Sequence, residues 1–295
     1  MSIYVLDLRE RDVGGAVAPG HLYLAADEGP LDAEGPALAA FTARTRGTEL
    51  VVLLHGYNVT RSEGWASLVR FAWFLEAGGV GATILCVLWP GDGWAKALTY
   101  PFEGRDADDS SDSLVTWIRA HVDQTARISL VAHSLGCRVA MRTAQQLAES
   151  SGSGVPRLEA ICLMAPAIDN DCLGRDGATC YRLGTLATDR LAVLASEQDR
   201  VLQLAYPLGD LSQTLLFAGE RWGRALGRTG PVERRPDVVA RIERIPLADP
   251  AQGIDHGDYL RVQNPGDAHT VAASDEFVAL FLTRMPPHAW LAARS

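Results

Sequence analysis

Five short apolar runs constrain this chain more than any other feature. Leu50 to Leu54, Thr83 to Leu88, Ile128 to Val131, Ala160 to Met164 and Leu191 to Leu194 are each bounded by Gly, Pro or charged residues. A strand covered on one face alternates apolar and polar side chains. An uninterrupted run instead suits a strand buried on both faces, which is the condition of a parallel sheet. Amphipathic stretches lie between the runs. Trp65, Leu68, Val69, Ala72 and Trp73 recur at helical spacing, as do Leu114, Trp117, Ile118 and His121 after an Asp-Ser cluster able to cap a helix. Leu135 to Leu147 continues as a helix, and Phe277, Leu280 and Phe281 mark a last one.

This alternation predicts an α/β fold, a doubly wound and mostly parallel sheet with helices on both faces, in one domain spanning residues 1–295. Ile3 to Leu8 and His21 to Leu24 are weaker strand candidates, expected to form an antiparallel N-terminal edge. Two long interruptions, at about 89–113 and 202–239, are expected to be cap or lid insertions near a functional site. In the second, Leu208, Leu211, Leu215, Ala218, Trp222 and Leu226 follow at three- and four-residue steps after a capping pattern at Asp210, and Gly227 is placed to end that helix.

Composition excludes several classes. No apolar run reaches the roughly 18 residues of a membrane-spanning helix, and the N-terminus breaks into charge at Asp7-Leu-Arg-Glu before a signal-peptide core forms. A cytoplasmic location is expected. The net charge is −9 without a basic stripe, so no nucleic-acid partner is expected. The cysteines, at 86, 137, 162, 172 and 180, form no CxxC and read as free core thiols; Cys172 and Cys180 share a stretch where an oxidant could pair them. The histidines show no metal-ligand spacing, so neither metal nor cofactor is expected.

The strongest chemical signal is Ile128-Ser-Leu-Val-Ala-His-Ser-Leu-Gly-Cys-Arg-Val-Ala. A strand ends at Ala132, Ser134 follows, and a helix starts at once, as in a G-x-S-x-G nucleophile elbow. The residues two before and two after the serine must be small for strand and helix to approach; here they are Ala132 and Gly136. Upstream, Leu50 to Leu54 runs directly into His55-Gly-Tyr-Asn. The loop after that strand supplies one oxyanion N–H, assigned to Tyr57, and the residue after the nucleophile, Leu135, supplies the other. His55 and His133 read as bracing or packing residues rather than bases.

A nucleophilic serine needs a base, and the base needs an orienting acid, in the chain order Ser, acid, His. Three histidines follow Ser134: His256, His269 and His288. His256 lies in a polar loop between a strand candidate, Ala240 to Leu247, and the last helix, and is the favoured base. Asp199, just after Leu191 to Leu194, is the favoured acid; Asp169, one strand earlier, is its rival.

Together these segments resemble the α/β-hydrolase superfamily, esterase and lipase branch. More narrowly, His55-Gly-Tyr-Asn, Trp89-Pro-Gly-Asp-Gly, Ala132-His-Ser-Leu-Gly and Gly253-Ile-Asp-His-Gly-Asp-Tyr are similar to a bacterial α/β-hydrolase family of unknown function with HGYN, WPS-G, AHSMG and GHSYF motifs. The superfamily resemblance covers roughly residues 48 to 285, and residues 1–47 match nothing. Asp258 stands where that family has Ser, a departure close to the histidine. The resemblance implies a Ser-acid-His hydrolase acting on a small-molecule acyl ester through an acyl-enzyme. Thioesterase, amidase or acyltransferase chemistry uses the same constellation. A non-catalytic binding or scaffold protein of this fold is the rival from another class, separable by covalent labelling with a fluorophosphonate. Trp94, Tyr100 and Trp222 are expected to shape an apolar acyl pocket.

Overall fold

All five apolar runs lie in adjacent strands of one sheet. The computed structural model describes residues 3–11, 16–26, 29–32, 35–91, 100–150, 154–177, 180–203, 224–232, 235–244, 255–260 and 273–284. Among these, the strands are β1 (Ile3–Arg9), β2 (Val17–Ala26), β3 (Gly29–Asp32), β4 (Glu49–Leu54), β5 (Thr83–Leu88), β6 (Arg127–His133), β7 (Arg157–Met164), β8 (Arg190–Leu194) and β9 (Ile242–Arg244). Their order across the sheet is β3-β2-β1-β5-β4-β6-β7-β8-β9. From β1 to β9 every neighbouring pair is parallel. Val51 to Leu54 and Ile84 to Leu88 are wholly buried, as residues covered on both faces must be.

Helices α1 (Pro36–Thr45), α3 (Tyr100–His121), α4 (Gly136–Glu149) and α5 (Arg182–Ala187) pack on one another and, through α3 and α4, on the sheet. Helix α2 (Arg61–Ala77) packs on β1, β4 and β5 and touches α8 (Ala273–Leu282), which lies against β7. Two short helices, α6 (Leu226–Thr229) and α7 (Pro236–Val239), precede β9. The chain steps from β4 outward to β5, then back across to β6 on the other side of β4. Such a reversal opens a crevice beyond the strand carboxyl ends, where ligands of doubly wound sheets bind.

Several expectations are revised. The antiparallel N-terminal edge exists, but β1 itself is parallel to β5, pairing Val5 with Cys86 and Leu6 with Val87; only β2 runs against its neighbours. The Asp-Ser cluster does not cap a helix, because α3 already begins at Tyr100, inside the stretch expected as an insertion. Ser110 and Ser111 donate their hydroxyls to the Asp106 and Asp108 carbonyls (2.6 and 2.7 Å), so serines that compete with helix elsewhere are satisfied within it. Both are buried, and Asp108 makes a two-pronged pair with Arg138 of α4 at 2.9 and 3.0 Å. Trp73, despite its helical spacing, is 45% exposed.

Gly227 does not end a helix. It sits within α6, where a Cβ would lie 2.3 Å from the Ala165 carbonyl carbon, so it serves a close approach between two backbones. The strand expected over Ala240 to Leu247 is described as β9 alone. Trp94, Trp222, His269, His288 and most of the helix expected from Asp210 fall outside the described residues; Tyr100 is the first residue of α3.

Candidate active site

Ser134 follows β6 and adopts φ 53°, a left-handed conformation that a side chain with a Cβ takes only when its surroundings impose it. Its N–H donates to the Met164 carbonyl at 2.9 Å, and its own carbonyl accepts from Ala167 N–H at 3.2 Å, so the end of β7 fixes the turn from both sides. Helix α4 then leaves immediately past the β4 loop. A Cβ on Gly136 would stand 2.2 Å from the His55 carbonyl oxygen, which no side chain can occupy. Ala132 is completely buried under the same turn. The small residues around the serine therefore answer to measurable contacts.

Three side chains from three loops converge here. The Ser134 hydroxyl donates to His256 Nε2 at 2.8 Å, and His256 Nδ1–H donates to Asp199 Oδ2 at 2.7 Å; these roles follow from the bonding network. Asp199 is fully buried after β8. Its Oδ1 accepts Leu202 N–H at 2.8 Å, so the carboxylate also caps the helix at 200–203 and cannot swing away. The rival acid, Asp169, forms a backbone bridge with Ala225, while the imidazole Nδ1 is bonded to Asp199.

The histidine is carried on a single 3₁₀ turn, His256–Asp258. Asp255 caps the turn by accepting His256 N–H at 2.8 Å, and Asp258 returns the bond by accepting Asp255 N–H at 2.8 Å. Asp258 thus holds the loop through a reciprocal cap. Arg200 N–H reaches Asp255 at 3.3 Å, tying the loops of acid and base together.

His133, the residue before the serine, donates Nε2–H to the His256 carbonyl at 3.0 Å, and its ring stacks on Tyr259 with centroids 5.5 Å apart. Burial, then the neighbouring His256, holds it well below the usual histidine range. It is neutral and structural. The Tyr259 hydroxyl is buried without a hydrogen-bond partner, and that burial raises its pKa.

His55 is also buried and neutral, pushed down to about 3 by burial first and the Arg9 guanidinium second. Its Nδ1–H donates to the Gly56 carbonyl at 2.8 Å, leaving Nε2 to accept from Trp89 N–H and Arg9 Nη2–H, each at 3.3 Å. Trp89 adds an indole N–H bond to the His55 carbonyl at 2.8 Å and lies nearly parallel to the imidazole. Asn58 N–H donates to the Gly91 carbonyl. The His-Gly-Tyr-Asn and Trp-Pro-Gly segments, separate in the sequence, are thus one bonded unit. Arg9 gave no sign of this role in the sequence; Trp89 did, through its motif. Tyr57 lies on this loop, beside Gly56, whose Cβ would come within 2.9 Å of the Ser134 Cβ. Leu135 is the N-cap residue of α4.

Among the described residues, no group of three His, Cys, Asp or Glu side chains could hold a metal ion. None of their helices is long and apolar enough to cross a membrane.

The family match agrees with the topology. A family described as an alpha/beta hydrolase of unknown function (DUF900) matches residues 32–213, more than half of the chain; the match includes Ser134 and Asp199 and ends before His256. No curated protein matches. Similar solved structures include esterase PE8 (15% identity, TM-score 0.41, covering 83% of this chain and 95% of that one). Carboxyl esterase 2 of the mycorrhizal fungus Tuber melanosporum is 13% identical with a TM-score of 0.39, covering 80% and 78%. An esterase from the hyperthermophilic archaeon Pyrobaculum calidifontis is 16% identical with a TM-score of 0.39, covering 89% and 82%. With strand order and family match in agreement, the chain belongs to the alpha/beta hydrolase family of unknown function DUF900.

Proposed function

We propose that the protein is a serine hydrolase that cleaves carboxylic esters, or related small acyl substrates, through an acyl-enzyme. The observation that carries this reading is the unbroken relay from Ser134 Oγ through His256 to buried Asp199, at 2.8 and 2.7 Å. In the proposed reaction Ser134 Oγ attacks the acyl carbonyl while His256 Nε2 takes its proton. Asp199 holds the Nδ1–H tautomer and stabilises the imidazolium as it forms. Negative charge develops on the former carbonyl oxygen, where the N–H groups of Tyr57 and Leu135 would bind it, aided by the positive end of α4. His256 then protonates the leaving alcohol, and a water deprotonated by His256 releases the acid. Trp94, Tyr100 and Trp222 remain the proposed wall of the acyl pocket. The five free, buried cysteines suit a reducing compartment, so a cytoplasmic location goes with this reading.

The test is covalent. A fluorophosphonate should label one serine stoichiometrically, on the peptide containing Ser134, and Ser134→Ala should lower p-nitrophenyl ester turnover by about 10⁶-fold where chemistry limits the rate. Labelling elsewhere, or parental turnover in Ser134→Ala, rejects the proposal.

A further inference from the structure

The family match begins only at residue 32, yet the end of β1, before it, reaches the loop that would carry an oxyanion donor. Arg9 closes β1 and is buried. Its Nη2 donates to the Val59 carbonyl at 2.7 Å and to His55 Nε2 at 3.3 Å, so one guanidinium joins the first and last residues of the segment 55–59. Asp7, on the same side of the strand two residues earlier, accepts Arg9 N–H at 3.1 Å and also binds Arg61, the first residue of α2. Between these ties lie Tyr57 and Asn58. Asn58 takes φ 58°, and its N–H is held by Gly91. The loop is therefore fastened at its start, its bend and its end.

Taking a guanidinium out of water costs several kcal/mol. A loop needing only cover would be served more cheaply by an apolar side chain. The guanidinium Nη2 offers something else, two N–H bonds held at a fixed angle in one plane. One meets a carbonyl and the other an imidazole kept neutral, so the histidine presents a lone pair and the distance between the loop ends is set.

We infer that Arg9 is a positioning residue, which sets the 55–59 loop so that Tyr57 N–H points at the oxyanion forming on a substrate attacked by Ser134. The inference rests on the serine-hydrolase reading. It gives the N-terminal strand a share in the reaction through the loop that it braces.

The experiment compares the parent with Arg9→Met and Arg9→Lys, expressing kcat per fluorophosphonate-titrated site. Two further readouts are KM and the affinity for phenylboronic acid, whose tetrahedral adduct on serine places an oxygen in the oxyanion position. Arg9→Met should lose about 10- to 100-fold in kcat, less than removal of a whole oxyanion donor. KM should stay within about threefold, and boronate affinity should fall in step with kcat/KM. Arg9→Lys keeps the charge, but a freely rotating ammonium on a shorter, flexible stem lacks the fixed plane that sets the two contacts together; it should lose about three- to tenfold on the same readouts while remaining folded. A merely structural role would reduce the number of titrated sites or the melting temperature and leave kcat per site and boronate affinity alone. Parental values of those two in Arg9→Met, or in Arg9→Lys where Arg9→Met does not fold, overturn the inference alone. A parent that is neither labelled at Ser134 nor active on p-nitrophenyl esters overturns the hydrolase reading and this inference with it.

Discussion

Two loops of similar length meet at Ser134, one at 55–60 and one at 255–260. The first is held from a distance. Arg9 from β1, and Trp89 and Gly91 from the end of β5, bond to it across the sheet; its own residues add the His55–Gly56 contact and, only at its far end, the reciprocal cap of Thr60 with Glu63 of α2. The second is held mainly by itself: Asp255 and Asp258 cap each other within a single turn, with added bonds from His133 and Arg200. The difference follows from what each loop would present. A backbone donor has no rotamers, so its aim is the aim of the whole loop, and only contacts from outside can fix it. An imidazole must be aimed but must also reorient slightly between accepting and giving a proton. A local cap holds its base while leaving the ring to Asp199.

The contrast can be broken at four points. Asp199→Asn should have the largest effect, about 10⁴-fold in kcat with folding intact, because an amide favours the wrong imidazole tautomer. Steady-state kinetics beside an unchanged circular dichroism spectrum checks it; a loss below tenfold would mean the imidazole is aimed by its turn and not by the acid.

Next is Gly136→Ala, which drives a methyl group into the His55 carbonyl. It should cost about 3 kcal/mol in urea denaturation, in the range of severe backbone clashes, because elbow and distant-braced loop share that contact. A cost under 1 kcal/mol would show that the 55–60 loop yields more easily than its ties suggest.

Acidification should separate the loops further. Native His55 is held neutral, while in the unfolded chain it takes a proton below about 6.5. The unfolded state therefore binds more protons as pH falls, and stability present above pH 6.5 is lost progressively towards the native value of about 3. Between pH 7 and 4 the loss traceable to His55 should be on the order of 3 kcal/mol, read as a shallower pH slope for His55→Gln in chemical denaturation. Parallel slopes for the two proteins would remove His55 as the cause.

Asp258→Ala should have the smallest effect, about 1 kcal/mol for a lost cap and a severalfold fall in kcat. Hydrogen exchange should show faster exchange at Asp255 N–H with no change at Asn58 N–H. Loosening of both loops together would end the distinction between them.

What the sequence made legible divides along the same line. Apolar runs such as Leu50 to Leu54 announce strands buried on both faces because burial acts residue by residue. The elbow is legible because its steric demand falls within two residues of Ser134. Chain order left three histidines and two carboxylates as candidates, and loop context favoured His256 and Asp199; His256 hydrogen-bonds both Asp199 and Ser134. The reach of Arg9 to His55, across 46 residues, has no local trace, and neither does the parallel seat of β1 beside β5. The start of α3 misled for a different reason. Asp and Ser favour caps when they face water, but Ser110 and Ser111 are buried and bond within their own helix. Trp73 keeps helical spacing on the outer side of α2, where periodicity alone cannot tell an apolar stripe from its margin.

Gly227 carries one more consequence. Its backbone contact with Ala165, the bond from Ser196 N–H to its carbonyl at 2.9 Å, and the Asp169–Ala225 bridge return the chain to within a few residues of the acid-bearing loop that it left after 203. Departure and return are thus both moored to the same rigid sheet edge. Doubling the length of chain between two such moorings adds only about 0.6 kcal/mol of closure entropy. A change in chain length between residues 203 and 224 should therefore cost little in stability.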